Sequence, residues 1–230
     1  LTVTETAAQG DENSIQSVLS RDQPVSLSAG IFLSAEKAWI VESARAILAG
    51  LHRGPPEGIV SYIVGEIIDN AQKALFKRVH FLFAGLDIDA ANDYRIGMET
   101  FLRDYLVRYQ DYAARLKELG ISLEVSYRVN KQGFVIAITN SGMATPEELR
   151  RISDSIRIAS TIRDPADAFV NDGDHSEGNG IGIIHVILML RSLGVGPEAF
   201  SFQVDPARKQ TGVQVILPLE KMQKENGIGE

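Results

Sequence analysis

Between Glu57 and Arg78 the chain carries two stripes at once, and together they constrain what it can fold into. Val60, Ile63, Val64, Ile67, Ile68, Ala71, Ala74 and Leu75 recur at helical period, which predicts a helix over 57–78 with one face buried. At about 100° per residue, Glu66, Asn70, Lys73 and Lys77 fall on a second stripe that flanks the first. A polar stripe there borders the core, a position where a pocket can form. An isolated helix cannot bury such a seam, so the rest of the chain has to supply a partner layer.

The pattern around this segment predicts that layer. Ser34 reads as the cap of a helix that stops at Gly50, followed by a turn at Arg53-Gly54-Pro55-Pro56. A tyrosine-rich stretch, 91–120, places Tyr94, Met98, Phe101, Tyr105, Tyr109 and Tyr112 three or four residues apart and reads as one long helix. It either packs on the domain or offers a face to a partner or a second copy.

The period then drops to two. Ile121, Leu123, Val125, Tyr127 and Val129 alternate with polar residues, predicting a strand buried on one side. A turn at Asn130–Gly133 leads to a second strand, 134–139. A short helix at 146–155, a polar loop, an apolar helix at 181–193 and a closing hairpin, 200–204 with 213–219, complete the order. Residues 1–33 read as an arm, with a short helix near 14–19 and an extended segment at 24–33; 34–222 form one domain and 223–230 a tail. The fold class expected is α+β, a two-layer sandwich with a mixed sheet and helices on one face.

Composition narrows the function. The 230 residues are 44% hydrophobic, enough for a substantial core, and no apolar run approaches the roughly 20 residues a membrane-spanning helix needs. The absence of cysteine excludes disulfides, zinc–thiolate sites and cysteine nucleophiles. A net charge of -7 argues against a broad nucleic-acid-binding face, though not against a local anion pocket. A cytoplasmic protein is expected. The chain opens on Leu1, as a piece of a longer protein would, and Leu1 to Gln9 lack the pattern of a signal peptide.

Three short polar elements could carry chemistry. Gly178, Gly180 and Gly182 alternate directly before the apolar helix, and glycines at a helix start let backbone N–H groups approach an anion. The spacing is neither the dinucleotide-binding GxGxxG nor a P-loop, and a plain loop-to-helix junction fits it as well. Asn140-Ser141-Gly142 leaves the second strand, and Thr211-Gly212 enters the last; each taken alone reads equally as a turn. Glu66 could simply pair with Lys73 or Lys77.

Taken in order, Glu66-Ile67-Ile68-Asp69-Asn70-Ala71-Gln72-Lys73, Asn140-Ser141-Gly142, Gly178-Asn179-Gly180-Ile181-Gly182 and Thr211-Gly212 resemble the GHKL ATP-binding superfamily, over roughly 57–219. Its members include histidine-kinase catalytic domains, type II topoisomerase ATPase domains and related chaperones; the strings EIIDNAQKAL and GNGIGI look closest to the histidine kinases. The resemblance implies a Bergerat-type sandwich that binds ATP and Mg²⁺. By it, Asn70 holds the metal, Lys73 reaches a phosphate, Asn140 accepts from the adenine amino group, and Gly142 lets the base lie against the backbone. Gly178, Gly180, Ile181 and Gly182 form the phosphate-binding junction, Thr211 bonds near the adenine end, and 157–179 is the lid. Glu66 is the implied general base.

The sequence departs from the pattern at two places. Asn140 stands where the superfamily has Asp, which keeps an acceptor but removes its charge. The insertion at 79–120 is foreign to typical kinase domains. The resemblance implies a kinase passing the γ-phosphate to a histidine on a module outside this chain. The alternatives are a non-catalytic adaptor that binds a protein partner through 91–120, a serine kinase, or an ATP-hydrolysing switch. Among the histidines, His52 lies too close to Asn70 for a dimerisation helix between them. His80 reads as a surface or packing residue, His175 as a lid residue and His185 as a core residue.

Overall fold

The computed structural model describes residues 2–4, 25–29, 31–51, 58–105, 107–162 and 181–219. The expected helix at 14–19, the turn at 53–56, most of the lid, Gly178, Gly180, His52, His175 and the tail lie outside the described residues.

Two layers are built from these segments. Strands β1 (Thr2–Thr4), β2 (Val25–Ala29), β3 (Leu123–Asn130), β4 (Gly133–Ser141), β5 (Phe200–Asp205) and β6 (Gln210–Leu217) form one sheet in the order β1-β2-β3-β4-β6-β5. The β1–β2 pair is parallel and the others are antiparallel, so the sheet is mixed. Strand β2 brings the segment before residue 34 into the same sheet as the rest of the chain. The helices are α1 (Ser34–Gly50), α2 (Ile59–Ala84), α3 (Ala91–Asp104), α4 (Tyr109–Glu118), α5 (Pro146–Thr161) and α6 (Ile181–Ser192), with a 3₁₀ turn at Pro197–Ala199.

Alternation in β3 does what its period requires. Leu123, Val125, Tyr127 and Val129 are buried while Glu124 and Arg128 face water. The buried set joins the apolar seam of α2 and residues of α1, α4 and α6 in one core. Tyr127 donates its hydroxyl to the Ile40 carbonyl at 2.6 Å, fixing β3 to α1; burial pushes that phenol far above its usual range. Buried Gln72 accepts from the Phe32 N–H and Lys37 pairs with Asp69, so α1 and the segment before it are registered on α2.

Several boundaries differ from expectation, each for a local reason. Ser34 is the first helical residue and not the cap; Leu33 occupies that position and no side chain caps α1. Helix α2 continues to Ala84 because Val79, His80 and Phe81 are buried too, and it ends at Gly85, whose left-handed φ of 65° permits the C-terminal turn. The tyrosine-rich stretch is two helices. A straight helix would hold Tyr105 and Tyr112 about 10 Å apart along its axis; with the break, Tyr105, Tyr109 and Tyr112 all meet the Phe76 ring, at 5.9, 5.0 and 5.6 Å between centroids. Helix α5 runs six residues beyond Ser155, so 157–161 are its last turns, and a Thr145–Glu148 capping box starts it.

Candidate functional site

Helix α2 positions the first group of candidate residues. Glu66 and Asn70 are one turn apart, and Asn70 Nδ2 donates to Glu66 Oε1 at 3.1 Å. This bond commits the amide nitrogen and leaves Asn70 Oδ1 available to a ligand. Glu66 therefore forms neither of the ion pairs that its sequence neighbours allowed: Lys77 bonds Glu148 instead, at 2.7 Å, and Lys73 has no carboxylate partner among the described residues. The Lys73 ammonium stands 6.0 Å from the centre of the Tyr105 ring.

The start of α6 closes on these side chains. A Cβ added to Gly182 would lie 1.8 Å from Glu66 Oε1 and 3.1 Å from Asn70 Nδ2. Glycine lets the first turn of α6 approach that closely without displacing the two side chains, and the positive end of the helix then faces the Glu66–Asn70 pair.

The sheet contributes the opposite end. Asn140 is in β4, not in a turn, paired across to Leu123 on one side and Thr211 on the other. It is only 5% exposed, and its Oδ1 has no hydrogen-bond partner among the described residues. A buried, unpaired acceptor costs stability unless something else satisfies it. Thr211, likewise in a strand, donates to the Gly142 carbonyl and accepts from the Ala144 N–H, both at 2.8 Å, fixing the exit of β4. Gly142 has φ 132°, and a Cβ there would meet Arg78 Nε at 2.7 Å, so glycine is required twice over.

One cavity of about 410 Å³ joins these ends. Glu66, Asn70, Lys73, Asn140, Ile181, Gly182 and Thr211 all line it; Gly142 stands behind Thr211. Its size and mixed lining suit a small organic anion or nucleotide. Glu148, Lys77 and Arg78 line the cavity as well, and there Glu148 accepts from Lys77 and from Arg78, at 2.7 and 3.2 Å. Burial pushes its carboxyl up, but the two cations and their hydrogen bonds prevail and hold it below the usual carboxylate range.

The inserted helix α3 was not foreseen here, yet it forms a wall of the cavity through Tyr94, Met98, Phe101, Leu102 and Tyr105. Gly97 carries the signal that could have revealed this. A Cβ at that position would lie 2.3 Å from the Phe81 ring, so a helix-weakening glycine is exchanged for tight seating on α2. Glu148 and the capping box were missed too, although Thr145-Pro146-Glu147-Glu148 is a readable helix start.

Neither described histidine is placed as a surface acceptor. His80 is buried between Tyr112 Oη and Thr100 Oγ1, each at 2.8 Å, and burial, opposed by Asp104 and aided by Arg108, lowers its pKa. His185 is half-buried, with Nδ1 3.1 Å from the Tyr62 hydroxyl. That phenol is pushed up by burial and by the Glu66 charge. Among the described residues no cluster of acidic, histidine or cysteine side chains could hold a metal alone, and no helix is long and apolar enough to cross a membrane.

No family model matches the chain, and no solved structure matches it. An uncharacterized protein of Treponema pallidum (strain Nichols) is 27% identical over 198 residues, 86% of this chain. The chain spans 39% of that relative's length.

Proposed function

We propose that the cavity is a Mg²⁺-dependent ATP site of GHKL type on a Bergerat-type sandwich, serving a kinase that passes the γ-phosphate to a histidine outside this chain. The observation that carries this reading is the convergence of residues from three separate sequence motifs and the start of α6 on one 410 Å³ cavity. The unpaired Asn140 Oδ1 supports it, being a buried acceptor suited to an exocyclic amine. At the other end, Asn70 Oδ1 would take one position on a magnesium ion that keeps most of its waters, and Lys73 would meet a phosphate oxygen. Magnesium, when bound, neutralises charge on the transferred phosphate. Glu66, bonded to Asn70, would orient that ligand and lie beside the reacting end as base.

The test is calorimetric titration with a non-hydrolysable ATP analogue, with and without Mg²⁺. Micromolar, Mg²⁺-dependent binding is expected. Absence of binding at millimolar nucleotide would sink the reading and favour the adaptor, whose candidate surface, 91–120, carries the exposed Ile96, Val107 and Leu119.

A further inference from the structure

Tyr94 is the residue of the inserted helix whose chemistry the cavity leaves unexplained. It is 7% exposed, it lines the cavity, and its hydroxyl is buried with no hydrogen-bond partner among the described residues. Buried tyrosine hydroxyls ordinarily find one. Its ring is held from several sides. Lys77 and Arg151 stand 5.8 and 5.5 Å from its centre and the Phe81 ring lies 5.8 Å away. Both cations already have carboxylate partners, Glu148 and Glu147, so they fix the ring without drawing on its hydroxyl. A phenylalanine would fill the same space without an orphaned polar atom.

Position along α2 says which part of a ligand this hydroxyl would meet. Lys77, beside Tyr94, is seven residues beyond Asn70, about 10 Å along the helix axis. Arg78 follows it, against Gly142 and the exit of β4. Tyr94 therefore belongs with the Asn140 end of the cavity and not with the Glu66–Asn70 end.

We propose that the Tyr94 hydroxyl hydrogen-bonds the base or sugar of the bound nucleotide, which makes the inserted helix α3 a working wall of the ligand site. The proposal rests on the nucleotide reading above and deepens it, since it assigns a polar contact to a segment outside the motifs. Tyr94 is a binding residue here, with no part in the chemical step.

The Tyr94→Phe variant tests it, because loss of an unpaired buried hydroxyl and loss of a ligand contact act in opposite directions. Expected are an unchanged or raised thermal midpoint for the free protein and an affinity for the ATP analogue lower by about three- to tenfold, the range for one hydrogen bond. The loss should be the same for ADP and insensitive to salt, whereas Lys73→Gln should weaken the triphosphate more than the diphosphate and respond to salt. Wild-type affinity in the phenylalanine variant would overturn the proposal, and so would a thermal midpoint lowered by several degrees, which would mark a structural bond. If the wild-type chain binds neither nucleotide, the nucleotide reading itself fails.

Discussion

The two ends of the polar stripe on α2 carry similar residues to different effect. At Lys77 and Arg78 both cations converge on Glu148, all three side chains at most 16% exposed, and the cluster ties α2 to the first turn of α5. At Glu66, Asn70 and Lys73, two turns earlier, the carboxylate bonds an amide and the ammonium rests over a tyrosine ring. The first end is closed on itself and serves stability. Both border the same cavity, but only the second has polar groups to spare there, and those are what a ligand can use. A charged residue's role thus depends less on its type than on whether the fold has already given it a partner.

Three substitutions or conditions would break or sharpen that contrast. The largest effect belongs to the closed end. Glu148→Ala leaves two partly buried cations without their carboxylate, though Arg78 keeps its bonds to the Ala74 and Met143 carbonyls, and removes half of a capping box, so a loss of about 3 kcal/mol is expected in urea unfolding. A loss under about 1 kcal/mol would mean that the cluster is no structural anchor. At the open end the order reverses. Asn70→Ala removes one side chain on a helix that tolerates alanine, so stability should hold within about 1 kcal/mol. Affinity for the Mg²⁺–nucleotide complex should fall at least about 100-fold, roughly 2.7 kcal/mol. Unchanged affinity in calorimetry would remove Asn70 from the site.

The smallest effect is expected at His80, just past Lys77 and Arg78 on α2 but bonded to Tyr112 and Thr100 instead of the Glu148 cluster. Its pKa in the folded chain lies below the unfolded value, because burial disfavours the imidazolium, which Asp104 and the Gly97 backbone favour and Arg108 and Arg103 oppose. The unfolded state then binds the extra proton more readily. Stability is complete above about pH 6.5, the ordinary histidine value, and declines as pH falls below it. Urea midpoints at pH 7.5 and 5.5 should show the decline, and His80→Gln should flatten it; equal slopes would place the titration elsewhere.

Much of the molecule was legible before any coordinates. The α2 seam, the alternation in β3 and the apolar run of α6 are local periodicities, and each predicts its own buried face. The candidate positions Glu66, Asn70, Lys73, Asn140, Gly182 and Thr211 could be named from short motifs. What could not be read was their state. Asn140 and Thr211 looked like turn residues because polar side chains favour turns; cross-strand pairing with Leu123 and with each other places them inside the sheet. The tyrosine repeat gave helical spacing but not the break, which follows from three rings meeting Phe76.

By itself, then, the sequence determined the elements whose signal lies within a few residues: an amphipathic α2 with a polar flank, a one-faced strand, glycines where backbone must come close. Only the tertiary structure decided which charges are paired, that Glu148 and not Glu66 takes Lys77, and that α3 folds back to wall the cavity. Pairing and enclosure depend on residues distant in the chain, as with Lys77 and Glu148, 71 positions apart, and no local pattern encodes such a distance.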